Sequence, residues 1–107
     1  MKVIFHVVEL EKWQATLDNA RDIINNDKDA KIEIICMSEA ASLFGSYSGI
    51  SFEGLVDNPN VKFVIGKKGL EENNLDVDML PMEIIVEESA ITRIVKLQNE
   101  GYAYIRL

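Results

Sequence analysis

The chain carries a single histidine, His6, a single cysteine, Cys36, and one pair of adjacent lysines, Lys67 and Lys68. A thiol beside a cation can act as a nucleophile. Free cysteine titrates at about 8.5, and a nearby positive charge raises the thiolate fraction at neutral pH. Cys36 is therefore a candidate sulfur acceptor, with His6 or Lys67 as the source of the cation. Each residue also has a plainer reading. His6 sits inside an apolar run, as a hydrogen-bonded core histidine would. Cys36 lies between Ile35 and Met37, and free cysteine is among the most buried residue types. Gly66-Lys67-Lys68-Gly69 is too short for a phosphate-binding loop, which needs a longer glycine spacing ending in Gly-Lys-Ser or Gly-Lys-Thr. A strand-to-helix turn accounts for it. Asp76-Val77-Asp78 is followed by Met79, Leu80 and Pro81 where a calcium loop needs ligands and glycine, so it reads as a connector. One cysteine excludes an internal disulfide and a multi-cysteine zinc site within one chain. No metal and no cofactor are expected.

The elements that must position these residues follow from periodicity. Residues 3–8 form a near-continuous apolar run rich in β-branched side chains, the pattern of a strand buried on both faces. Leu10, Trp13, Leu17, Ala20 and Ile24 then recur at helical spacing. Ile32 to Met37 reads as a second strand. Ser38 is placed to cap a short helix through Ala40, Ala41, Leu43 and Phe44, stopped by Gly45. Residues 46–49 form a small-residue loop. Phe52, Leu55 and Val56 suggest another short helix, ended by Asn58-Pro59-Asn60. Val61 to Ile65 is a third strand, and Leu70 to Asn74 holds a helical turn or two. Glu83 to Val86 is a fourth strand. Ser89 caps a helix with Ala90, Ile91, Ile94, Val95 and Gln98 on its inner face. Gly101 ends that helix and is expected at positive φ. Tyr102 to Ile105 is a short last strand at a sheet edge.

Strands alternating with helices imply βαβ units, right-handed crossovers and helices on both faces of a mostly parallel sheet, within one domain spanning residues 1–107. In such a sheet ligands bind beyond the C-terminal strand ends. Those ends deliver His6 and Glu9, Cys36 and Ser38, Gly66 and Lys67, and Ser89 to one rim, which is the expected ligand-binding region. Strand alternation puts Ile32, Ile34 and Cys36 on one face, so Cys36 is expected to be mostly buried.

Composition narrows the partners. The chain of 107 residues has 48% hydrophobic and 27% charged residues and a formal net charge of −7. That is ordinary globular composition for one domain. Nucleic-acid binding is not expected, because it draws on basic side chains that displace counterions. No segment reaches the roughly 20 apolar residues of a membrane span, and the first residues are not patterned as a signal peptide. A cytoplasmic location is expected. Trp13, Phe44, Tyr47, Phe52, Tyr102 and Tyr104 exceed what the sheet faces need, and are expected to anchor an interface between copies.

The C-terminal segment Gln98-Asn99-Glu100-Gly101-Tyr102-Ala103-Tyr104-Ile105, which follows a helix, resembles the ending of DsrE/DsrF-like proteins. Val3-Ile4-Phe5-His6-Val7 with Glu9 resembles their opening strand. Val61-Lys62-Phe63 and the connector from Leu75-Asp76 to Leu80-Pro81 also match, so the similarity runs the length of the chain. It implies a three-layer α/β/α sandwich of flavodoxin-like appearance with a five-stranded sheet. It also implies homo-oligomers, often trimers or hexamers, and a sulfur-relay protein partner. Its catalytic cysteine follows the third strand and carries a persulfide. The matching position here is Gly66, so the resemblance implies no catalytic thiol and no enzymatic activity is expected from it. The expected role is a non-catalytic structural or binding component linked to intracellular sulfur handling. The alternatives are a sulfur carrier using Cys36 as a relocated acceptor, and a small-anion-binding module at the rim.

Overall fold

A computed structural model describes residues 1–45, 52–81 and 83–107. Its strands are β1 (Lys2–Val7), β2 (Lys31–Cys36), β3 (Val61–Gly66), β4 (Ile84–Glu87) and β5 (Ala103–Arg106). They form one sheet in the order β4-β3-β2-β1-β5. Every pairing is parallel, including the edge strand β5. The helices are α1 (Trp13–Asn26), α2 (Lys67–Glu72) and α3 (Ala90–Asn99), joined by 3-10 turns at Leu10–Lys12, Ser38–Phe44, Leu55–Asp57 and Val77–Met79.

The strand order explains the layers. The connections from β1 through β4 all step the same way, and right-handed crossovers place them on one face. The last connection reverses direction and carries α3 across the other face. The period-two alternation of the strands then feeds two cores. Phe5, Val7, Ile34, Cys36 and Phe63 face α1, α2 and the 3-10 turns, together with Leu17, Phe44 and Leu70. Ile4, Ile35 and Val64 face α3 through Ala90, Ile94 and Leu97. The molecule is a three-layer α/β/α sandwich whose second outer layer, among the described residues, is the helix α3.

The aromatic residues expected at an interface mostly lie inside. Trp13 and Phe44 are buried, and Phe52 packs against them. Phe52 meets Phe63 edge-on at 4.9 Å between ring centres, and Trp13 meets Phe52 at 5.8 Å. The short turns on this face carry fewer side chains than full helices would, and the rings fill that volume. Tyr47 and the loop at residues 46–49 lie outside the described residues. Tyr104 remains on the surface.

Two local expectations also change. Ser38 does not cap a helix: it adopts a left-handed φ of 54°, and Met37 occupies the cap position. The turn is held instead by the Ala40 amide, which donates to Val8 at 3.0 Å and so ties it to the end of β1. On α3 the buried stripe is Ala90, Ile94 and Leu97. Ile91 and Val95 are each 52% exposed, and Gln98 is exposed too. The helix is turned so that Arg93 reaches the sheet, which swings Ile91 and Val95 outward.

The ends of α3 are as its sequence suggests. The Thr92 amide donates to Ser89 Oγ at 3.1 Å. Gly101 has φ of 93°, and the Tyr102 amide bonds back to Leu97 at 3.0 Å. A Cβ at Gly101 would touch nothing within 4 Å, so a side chain there costs only conformational strain. Gly101→Ala is expected to destabilise the fold by about 1 kcal/mol. Urea denaturation should show a lower midpoint with an unchanged slope.

Candidate functional site

The segments after β3 and β4 leave the sheet toward opposite faces, one into α2 and the other into α3. Neighbouring strands that part in this way open a crevice at their C-terminal ends, the usual ligand position in an open parallel sheet. Here the crevice has a volume of about 320 Å³ and is lined by Met37, Ser38, Gly66, Lys68, Ser89 and Ala90, among others. Cys36 stands behind its wall with no exposed surface.

Of the expected rim residues, Cys36, Ser38, Gly66 and Ser89 come together at this crevice. Lys67, His6 and Glu9 do not. The Lys67 ammonium pairs with Glu88 at 2.5 Å and lines a separate shallow groove beside α2. Glu9 sits before the 3-10 turn at Leu10–Lys12, where its carbonyl accepts from the Lys12 amide. His6 pairs with Ile35 in the sheet register while Cys36 pairs with Val7. Alternation therefore sends the imidazole and the thiol to opposite faces.

His6 is also disfavoured as a source of the cation. Its Nδ1 lies 2.6 Å from the Tyr104 hydroxyl and its Nε2 3.0 Å from Met37 Sδ, so both ring nitrogens have a partner. Burial, with the positive charge of Arg106, holds its pKa below the ordinary value. Burial likewise pushes the Cys36 thiol far above its usual range. A thiol that is both inaccessible and protonated is a poor nucleophile.

Gly66 is constrained as well. A Cβ there would lie 3.0 Å from the Ala90 amide nitrogen and 3.1 Å from the Ala90 Cβ. The first turn of α3 has closed onto the end of β3, and glycine permits that approach. Among the described residues no group of three or more His, Cys, Asp or Glu is arranged to hold a metal. No helix among them is long and apolar enough to cross a membrane.

A second polar feature escaped the sequence reading. Arg93 on α3 reaches down to Glu33 at the centre of β2, with Nε 2.6 Å from Oε1, and its Nη1 pairs with Glu87. The Glu33 side chain is 4% exposed and that of Arg93 16%. Burial disfavours the charge on Arg93, but the bonds to Glu33 and Glu87 outweigh it and hold its pKa above the ordinary value. The signal was present: a lone glutamate inside Lys31-Ile32-Glu33-Ile34-Ile35 must have a partner if that strand is central. Beside this pair a groove of about 500 Å³ runs between α3 and the sheet, lined in part by Lys62, Lys96 and Tyr102.

No protein-family model matches the chain, and no curated protein matches it. Among solved structures it is similar to the Protein of Unknown Function MTH1491 from Methanobacterium thermoautotrophicum. The two share 25% sequence identity and a TM-score of 0.87, over 99% of this chain and 98% of that one.

Proposed function

We propose that this chain is a DsrE/DsrF-like, non-catalytic structural or binding component linked to intracellular sulfur handling. The observation that carries the reading is the closed approach of α3 to Gly66, the position where the resembled family has its cysteine. That position has no sulfur, and a side chain there would crowd Ala90 at 3.0–3.1 Å. The one thiol in the chain is buried and protonated, so relocation of the sulfur acceptor to Cys36 is disfavoured.

The test is to offer the native protein a persulfide donor and follow intact mass. No stoichiometric sulfur adduct is expected in native buffer, whereas Cys36 should react once the chain is unfolded. Rapid addition of one sulfur to the folded protein, absent in Cys36→Ser, would make Cys36 a carrier and overturn this reading.

A structural or binding component of this kind works through its surfaces. Ile91, Val95 and Tyr104 are exposed side chains on the side of the sheet that, among the described residues, α3 alone covers. They support assembly into a homo-oligomer, of which a trimer or hexamer is the form the resemblance implies. Light scattering at micromolar concentration should give a mass that is a multiple of 12.1 kDa. A stable monomer would refute assembly. A second reading is a small anion held in the crevice by Lys68, favoured by the position between diverging strands and opposed by Glu72 and Glu88 in the same wall. A thermal shift produced by inorganic phosphate or thiosulfate, lost in Lys68→Ala, would support it.

A further inference from the structure

We propose that the groove between α3 and the sheet, away from the strand-end crevice, binds a small acidic α-amino acid of the L-glutamate or L-aspartate kind. The argument starts from the floor of the groove. Glu33 gives one carboxylate oxygen to Arg93 Nε, and its other oxygen makes no bond among the described residues. No buried side-chain oxygen or nitrogen among those residues lacks a partner. That second oxygen therefore keeps some contact with solvent, though the side chain is only 4% exposed, and Glu33 lines the groove. Arg93 spends Nε and Nη1 on Glu33 and Glu87, which leaves Nη2 as a donor. The floor thus holds an acceptor and a charged donor side by side, fixed by their own pairing before any ligand arrives. Such preorganisation lowers the cost of binding. An α-amino acid head group is the complement, with its ammonium on the Glu33 oxygen and its carboxylate on the Arg93 edge.

The walls select the rest of the ligand. Lys62 is the cross-strand neighbour of Glu33 and points to the same face. Lys96 follows Arg93 by three positions on α3, which places it on the same side of the helix. Both line the groove, and neither is in a salt bridge among the described residues. Two unpaired ammonium groups beside a head-group site call for a second carboxylate on the ligand. Glu88, also in the wall, is already matched by Lys67. The lining sets three cations, Lys62, Arg93 and Lys96, against four carboxylates, Glu33, Glu87, Glu88 and Glu100, and Lys67 outside the groove offsets Glu88. A groove balanced in this way favours a ligand of both signs over a plain anion.

Calorimetry on the intact chain tests this with L-glutamate, L-aspartate, glutarate, L-leucine and inorganic phosphate. Saturable binding of L-glutamate or L-aspartate is expected, with Kd below about 1 mM. Glutarate lacks the ammonium and L-leucine the second carboxylate, and each should bind at least about tenfold more weakly. The Lys62→Ala/Lys96→Ala double variant alters only exposed side chains, so it should fold normally. It should lose at least about tenfold in affinity for the acidic amino acid. The proposal is overturned by the absence of saturable heat at about 10 mM ligand. It is equally overturned if glutarate or phosphate binds as well as L-glutamate, or if the double variant binds unchanged.

Discussion

Arg93→Ala should destabilise the fold by about 3–5 kcal/mol, the usual cost of stranding one partner of a buried ion pair. The magnitude rests on Glu33. Its carboxylate sits on the central strand β2 under α3, and the guanidinium is its one partner among the described residues. Removing Arg93 leaves a charge in a site that water reaches only from the groove. It also releases Glu87, which is closer to solvent and adds little. The companion experiment separates charge from packing. An Arg93→Met/Glu33→Gln double variant keeps most of the volume and removes both charges, so it should recover much of the loss. Urea denaturation of the two variants reads the difference. A single variant within about 0.5 kcal/mol of the parent would show that the pair is effectively solvated.

Phe63→Ala should cost about 3–5 kcal/mol through the cavity it leaves. Phe63 is fully buried at the centre of β3 and touches the rings of Trp13 and Phe52. Its neighbours belong to α1 and to the segment before the Leu55–Asp57 turn, which Glu53 also ties to Gln14 and Arg21 of α1. Collapse into the space is limited, because the strands on either side are held by the sheet. The near-UV circular dichroism of Trp13, the single tryptophan, should change with the mutation. Val77→Ala, in the exposed Val77–Met79 turn, should leave both signals nearly unchanged. A Phe63→Ala loss of less than about 1 kcal/mol would mean that the cluster is loosely packed.

Both predictions bear on function because they concern the two faces of the sheet separately. The aromatic cluster supports the face where Cys36 is sealed. On the other face the Arg93–Glu33 pair and the packing of Ala90, Ile94 and Leu97 together set the rotation of α3. That rotation closes Gly66, exposes Ile91 and Val95, and opens the groove beside Lys62 and Lys96.

Local interactions made much of this protein legible in its residues alone. β-branched runs and the apolar spacing gave the strand and helix positions, since both patterns report burial within a few residues. The Ser89 cap and the positive φ of Gly101 were readable for the same reason: each is satisfied by neighbours three to five positions away. Burial of Cys36 followed from simple alternation with Ile32 and Ile34. The tertiary structure decided what depends on distant partners. Strand order set which ends meet, and so brought Gly66 to Ser89 while leaving His6 on β1, two strands away from β3. The inner stripe of α3 is not legible locally because Ile91 and Val95 are as apolar as Ile94; the rotation is fixed by distant partners, the sheet residues Ile4, Ile35 and Val64 and the Glu33 that Arg93 reaches, sixty positions earlier. Local sequence carries no record of that separation, because an ion pair is specified by geometry in space and not by spacing along the chain.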